Sequence, residues 1–156
     1  MGYTTRFFGR FNLDRTLDEA TWRLLHGIES TRRMRRDLAR VMPADAAAAF
    51  GTEGEFYFGG TGCRGGDEDE TVVDGNLPPS TQPGLWCDWR PTADRKGLEW
   101  NGAEKSYASA AWIRYLIDRV LAPRGYVLDG SVSWQGERED DVGRLVVERN
   151  GAVTRR

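Results

Sequence analysis

The chain has 156 residues, with 22 Lys and Arg against 24 Asp and Glu, one His and two Cys. That length suits a single domain spanning 1–156, and a net charge of −2 is too balanced for a general nucleic-acid binder. Hydrophobic residues at 39% exclude a disordered tail, no apolar run approaches the roughly 20 residues of a membrane helix, and Cys63, Cys87 and His26 fall short of a disulfide framework or a zinc set.

Residues 6–13, Arg-Phe-Phe-Gly-Arg-Phe-Asn-Leu, alternate with period two, so a half-buried strand is predicted with Phe7, Gly9, Phe11 and Leu13 on one side. Thr16-Leu17-Asp18-Glu19 has capping-box spacing, and Leu17, Ala20, Leu24 and Ile28 follow at helical intervals, which predicts a helix from about 17 to at least 29. Residues 43–52 read as a connection and 55–58 as a second strand. The Gly- and acid-rich stretch 59–75 reads as a loop, and the prolines at 78, 79 and 83 forbid a helix there. Residues 85–90 and 97–100 are predicted to form an antiparallel pair. Asn101 to Glu104 repeats the capping pattern before a helix that Pro123 and Gly125 end near 121. Strands are predicted at 126–128, 132–134 and 144–148, and Asn150-Gly151 signals a hairpin into a short last strand. The expected fold is α+β: two layers, a mostly antiparallel sheet of about six to seven strands with two helices on one face.

The small net charge conceals a strong polarity. Residues 1–40 carry nine Arg against five acids, 41–88 one Arg against nine acids, and 89–156 twelve basic against ten acidic residues. Twenty of the 22 basic residues are Arg, whose planar fork of donors suits carboxylates and phosphates.

The densest basic cluster is Arg32, Arg33, Arg35 and Arg36. On an unbroken helix Arg35 would fall five whole turns beyond Leu17, on the apolar stripe. Burying an unpaired cation is costly, so either the helix ends near Ser30 or these side chains line a site. Downstream, Ser80, Thr81 and Gln82 form a polar loop stiffened by proline, leading to alternating Trp86, Asp88 and Arg90. An aromatic face beside a guanidinium is how proteins hold planar anions. These ten residues form the expected ligand-binding site.

Other motifs carry less. Carboxylates at 67, 69 and 74 loosely follow a calcium loop, but Val72 and Pro78 stand where it needs Gly and Glu. Glu137-x-Glu139 with Ser80-Thr81 and Arg6 or Arg10 follows the residue order of ADP-ribosyltransferases in short, common pieces. His26 has no nucleophile beside it, and no phosphate-binding loop, dinucleotide fingerprint or nucleophile elbow occurs. No metal or cofactor is expected, and no catalytic residue is identified.

The blocks Met1-Gly2-Tyr3-Thr4-Thr5, Thr31-Arg32-Arg33-Met34, Glu53-Gly54-Glu55-Phe56, Leu98-Glu99-Trp100, Trp134-Gln135-Gly136-Glu137 and the ten residues from Pro78 to Cys87 together resemble a family of uncharacterised small proteins of bacteriophages and bacteria. The resemblance spans nearly the whole chain and implies a small protein encoded by phages or mobile elements, with no activity to carry over. The sequence therefore leads to a cytoplasmic binding protein that captures a small anionic ligand of nucleotide type without turnover. The alternative is an interaction module that inhibits a host protein, through the acidic residues 67–74 or exposed tryptophans. A small hydrolase or transferase using carboxylates and arginines stands third. Neither general nucleic-acid binding nor membrane association is expected.

Overall fold

The predicted strand at 6–13 forms, but it is bent into β1 (Arg6–Phe8) and β2 (Arg10–Leu13) at Gly9, whose φ of +99° is open to glycine alone among common residues. Phe7, Phe11 and Leu13 are buried as the alternation requires. The computed structural model describes residues 3–38, 50–51, 53–57, 72–74, 76–103, 108–151 and 153–155. They gather into two compact units, one made of Met1–Leu25 with Asp88–Arg156 and the other of His26–Cys87.

The first unit is built on an antiparallel sheet in the order β5-β6-β2-β7-β8-β9, with β1 also paired to β7. Its further strands are β5 (Trp89–Pro91), β6 (Gly97–Trp100), β7 (Leu128–Gln135), β8 (Val142–Val147) and β9 (Thr154–Arg155). The strands predicted at 126–128 and 132–134 become one strand from Leu128 to Gln135, without Tyr126 and Val127, and it passes through Gly130 at φ +127°, a region that favours glycine. The strand predicted at 85–90 begins only at Trp89. Phe7 and Phe11 meet the ring of Trp89 at 5.3 and 5.5 Å, and Phe7 meets Trp100 at 5.6 Å, which makes an aromatic core across β1, β2, β5 and β6. The hairpin from β8 to β9 turns at Arg149 and Asn150, both left-handed, and the Asn150 side chain accepts from Leu128 N and donates to Tyr126 O.

Helix α1 (Glu19–Ser30) starts later than the capping box suggests. Asp18, not Thr16, is the cap, its carboxylate accepting from Thr21 N at 2.7 Å. The buried stripe is Leu17, Thr21, Leu25 and Ile28, while Ala20 is exposed. Helix α2 (Ser109–Leu116) continues through a π-helical turn (Ile117–Leu121) and a 3-10 turn (Ala122–Arg124) to left-handed Gly125. Seven apolar residues between 112 and 121 are buried, too wide an arc for a plain α-helix, and the slower π winding turns Val120 and Leu121 back towards the others. Trp89 Nε1 donates to Ser109 O at the start of α2. The predicted capping box at 101–104 falls partly outside the described residues, but Asn101 does accept from Ala103 N.

In the second unit, β3 (Arg35–Arg36) pairs with β4 (Val72–Asp74). Residues 55–57 make a turn rather than the predicted strand, with Tyr57 N donating to Gly54 O; Phe58 lies outside the described residues. Within the described residues, no helix is long and apolar enough to cross a membrane.

Two outcomes follow for stability. Gly9→Ala forces a side chain into a backbone region that only glycine occupies readily and is expected to cost about 1–3 kcal/mol, read as a lower urea midpoint. Asp94, in the β5–β6 turn, accepts from the Thr92 hydroxyl, Lys96 N and Arg10. The Thr92 hydrogen bond, then those of Lys96 and Arg10, hold its carboxyl well below the usual range. Hydrogen bonds from Thr21 do the same for Asp18, and those from Arg95 and Arg23 for Glu19. A folded pKa below the unfolded one adds stability that is complete above the unfolded value and is lost as pH falls through the folded value. Unfolding titrations from pH 7 to 3 are therefore expected to show stability falling once the pH drops below about 4, with Asp94→Asn flattening that dependence.

Candidate functional site

The bend at Gly9 has a direct consequence. β2 lies between β6 and β7, with Arg10 opposite Glu99 and Asn12 opposite both Gly97 and Asp129, whereas β1 stays only on β7, with Arg6 opposite Gln135 and Phe8 opposite Ser133. Where β1 leaves β6, a cleft of about 600 Å³ opens, lined by Thr4, Arg6, Trp100, Gly102, Gln135, Gly136 and Glu137.

One wall is a clasp between the residues before β1 and the β7–β8 turn. The Tyr3 hydroxyl donates to Asp141 Oδ2 at 2.5 Å, and Thr4 N donates to Glu137 Oε1 at 2.7 Å. A Cβ at Gly136 would push aside the Asp141 carboxylate and the Tyr3 hydroxyl and so loosen this clasp. Gln135 Nε2 donates to Arg138 O at 2.9 Å, which orients its amide. Trp100 is half-buried, with Phe7 packed against it at 60°. Arg6 is exposed, and its side chain has no hydrogen bond or ion pair with any described residue. The cleft thus offers an available guanidinium, an indole, an amide and one carboxylate, a set able to bind a planar group that carries both an anion and hydrogen-bond donors.

The site expected from the sequence is divided between the units. In the second unit, Arg33 is buried, donating to Glu55 O at 2.9 Å, Tyr57 O at 3.0 Å and the Thr31 hydroxyl at 2.5 Å. Arg36 is buried with its guanidinium 4.9 Å from the Tyr57 ring centre. Arg35 donates to Pro78 O at 3.1 Å and lies 4.0 Å from the Glu53 carboxylate, which also accepts from Ser80 N and the Ser80 hydroxyl. The Ser80 N–H, followed by its hydroxyl and the charge of Arg35, holds Glu53 below its ordinary pKa. Gln82 is buried and donates to Glu55 O at 2.9 Å. Arg33, Arg35, Arg36, Ser80 and Gln82 therefore do converge, and what they hold is the chain's own 53–57 turn. Arg32 is half-buried, and Thr81 and Trp86 are exposed. Asp88 and Arg90 belong to the first unit, where Asp88 is buried and Arg90 pairs with Glu99 at 2.9 Å.

Of the other motifs, Arg6 and Glu137 share the cleft, while Ser80 and Thr81 belong to the other unit. His26 is exposed on α1. Acidic residues 67–70 lie outside the described residues, among which no three His, Cys, Asp or Glu side chains gather to hold a metal. Thr4, Trp100 and Gln135 were not singled out as site residues. They lie in three separate stretches of sequence, which local pattern alone does not bring together. No family model, curated protein or solved structure matches the chain.

Arg33→Ala takes this donor from Tyr57 O, while Glu55 O keeps Gln82, and is expected to cost about 1–3 kcal/mol. Arg33→Lys is expected not to restore stability, because one ammonium cannot span the fork's acceptors. Chemical denaturation of both variants checks this.

Proposed function

We propose that the protein captures a small anionic ligand bearing a planar group, of nucleotide type, in the cleft between β1 and the end of β6, without turnover. The observation that carries this reading is Arg6, exposed and unpaired among the described residues, in a cleft shared with Trp100. The volume of about 600 Å³ lies within the range of small-molecule sites. A phosphate on Arg6 and a base against the indole use both groups, and Glu137 accepts from a sugar hydroxyl or an exocyclic amine. Thr4, Trp100 and residues 135–137, drawn from three of the blocks that carry the resemblance to phage and bacterial proteins, line this cleft. In that setting the protein acts in the bacterial cytoplasm by sequestration.

Binding is favoured over catalysis because hydrolysis by paired carboxylates needs one held protonated and one ionised. Among the described residues, the cleft is lined by one carboxylate, Glu137, which already accepts from Thr4 N. The arginine cluster at 32–36 supports an anion site less well than Arg6 does, since Arg33, Arg35 and Arg36 are engaged by the chain itself.

Thermal-shift screening and calorimetry against nucleoside mono- and diphosphates test the reading. A saturating ligand at 100 times its Kd is expected to add about 2.7 kcal/mol of stability, with Arg6→Ala and Trp100→Ala each weakening binding about tenfold or more. Absence of binding across the panel overturns the proposal, and loss in Arg32→Ala or Trp86→Ala with the cleft variants intact moves the site to the second unit. The interaction-module reading draws on Val73, Leu77 and Trp86, all exposed in that unit. It requires a stoichiometric host partner that is lost with Trp86→Ser and retained with Arg6→Ala.

A further inference from the structure

The cleft does not end at Arg6. On the sheet surface that carries Arg6, the pairing of β1, β7 and β8 sets two rows side by side: Arg6 opposite Gln135 opposite Val142, and Phe8 opposite Ser133 opposite Arg144. All six side chains point to the same side, because β1 and β8 alternate in step with β7. Phe7, Trp134 and Leu145 take the other side and are buried. Phe8 is 57% exposed and Val142 56%, so an open ring stands next to the cleft. The cations of this face divide into two kinds. Arg10 and Arg90 are neutralised by Asp94 and Glu99 at 3.0 and 2.9 Å, whereas the side chains of Arg6 and Arg144 have no ion pair or hydrogen bond with a described residue. Two guanidinium groups that no described acid neutralises therefore flank an exposed phenyl ring, with Ser133 between Phe8 and Arg144. By strand spacing, Phe8 lies about 7 Å from Arg6 along β1 and about 10 Å from Arg144 across the sheet.

Resting on the cleft reading above, we propose that the ligand is a short single-stranded oligonucleotide, with one nucleoside in the cleft and the next stacked on Phe8. Arg6 then binds the phosphate that joins them, and Arg144 the following phosphate. Bases must be unstacked to lie on a protein ring, which selects a single strand over a duplex. The surface also limits length. Glu137, Glu139 and Asp140 are exposed at the β7–β8 turn and repel a continuing phosphate backbone, so the strand ends in the cleft, with Glu137 accepting from its terminal nucleoside. A short ligand held by its end is compatible with the near-neutral chain, whereas a long polymer needs a basic stripe.

Calorimetry with AMP, the dinucleotide pApA, and tetranucleotides of A and U tests this, alongside a 20-residue oligonucleotide. Affinity is expected to rise about tenfold or more from AMP to pApA and to level off by the tetranucleotide. Phe8→Ala and Arg144→Ala should bring the longer ligands down to the affinity of AMP and leave AMP binding unchanged, while Phe8→Trp retains the gain. Arg144→Ala should also lower the salt slope of tetranucleotide binding by about one. Both sites are at the surface, and an unchanged melting temperature verifies that the variants fold. Equal affinity for AMP and the tetranucleotides overturns this proposal and leaves the cleft reading standing; no binding of any of them overturns both. A peptide of alternating Glu and Phe that binds more tightly than the tetranucleotides, and is lost with Phe8→Ala, assigns the face to a protein partner and likewise overturns it.

Discussion

One backbone angle controls the architecture of the larger unit. At Gly9 the chain turns through φ +99° while both flanking segments remain paired to β7. β2 can then lie between β6 and β7, and β1 separates from β6. The sheet is continuous along β7 and split along the opposite line. Closing that split would give an ordinary extended strand and no cleft. The aromatic core of Phe7, Phe11, Trp89 and Trp100 bridges the two halves from beneath, so the opening is wedged by packed rings and not left as a fray.

The arginines serve two purposes that composition cannot separate. In the second unit they replace regular secondary structure. The segment 33–36 ties its backbone to Leu85, Leu77 and Glu53, and the guanidinium groups of Arg33 and Arg35 satisfy carbonyls of irregular turns that no sheet ladder reaches. A planar fork with five donors meets several such acceptors at once, which explains Arg rather than Lys at these positions. In the first unit, Arg10, Arg90 and Arg95 pair with acids around the sheet and α1, and Arg6 and Arg144 pair with no described residue. The functional reading follows from that difference in neutralisation and not from local density of charge.

Much of the fold was legible because it depends on near neighbours. Alternation placed Phe7, Phe11 and Leu13 in the core, Asn150-Gly151 marked the last hairpin, and the apolar residues from Trp112 to Leu121 marked the second helix. The conflict between Arg35 and the apolar stripe left two alternatives open, and the structure takes the first, ending α1 at Ser30. Failures came where two local signals compete. Thr16 and Asp18 are both acceptable caps, and the choice of Asp18 fits Tyr126, 108 residues away, whose hydroxyl accepts from Asp18 N. Glu55-Phe56-Tyr57 has strand composition, yet its carbonyls are taken up by Arg33 and Gln82, which stabilises a turn.

By itself, then, the sequence determined the α+β class, the alternation of its first strand segment and the polarity of charge along the chain, since each rests on periodicity or on composition along short stretches. Only tertiary structure decided which arginines are neutralised, and that Thr4, Arg6, Trp100 and Glu137 share one cleft. Those residues lie up to 133 positions apart and meet through strand register, and register is set by the whole buried face of the sheet and not by any short stretch of sequence.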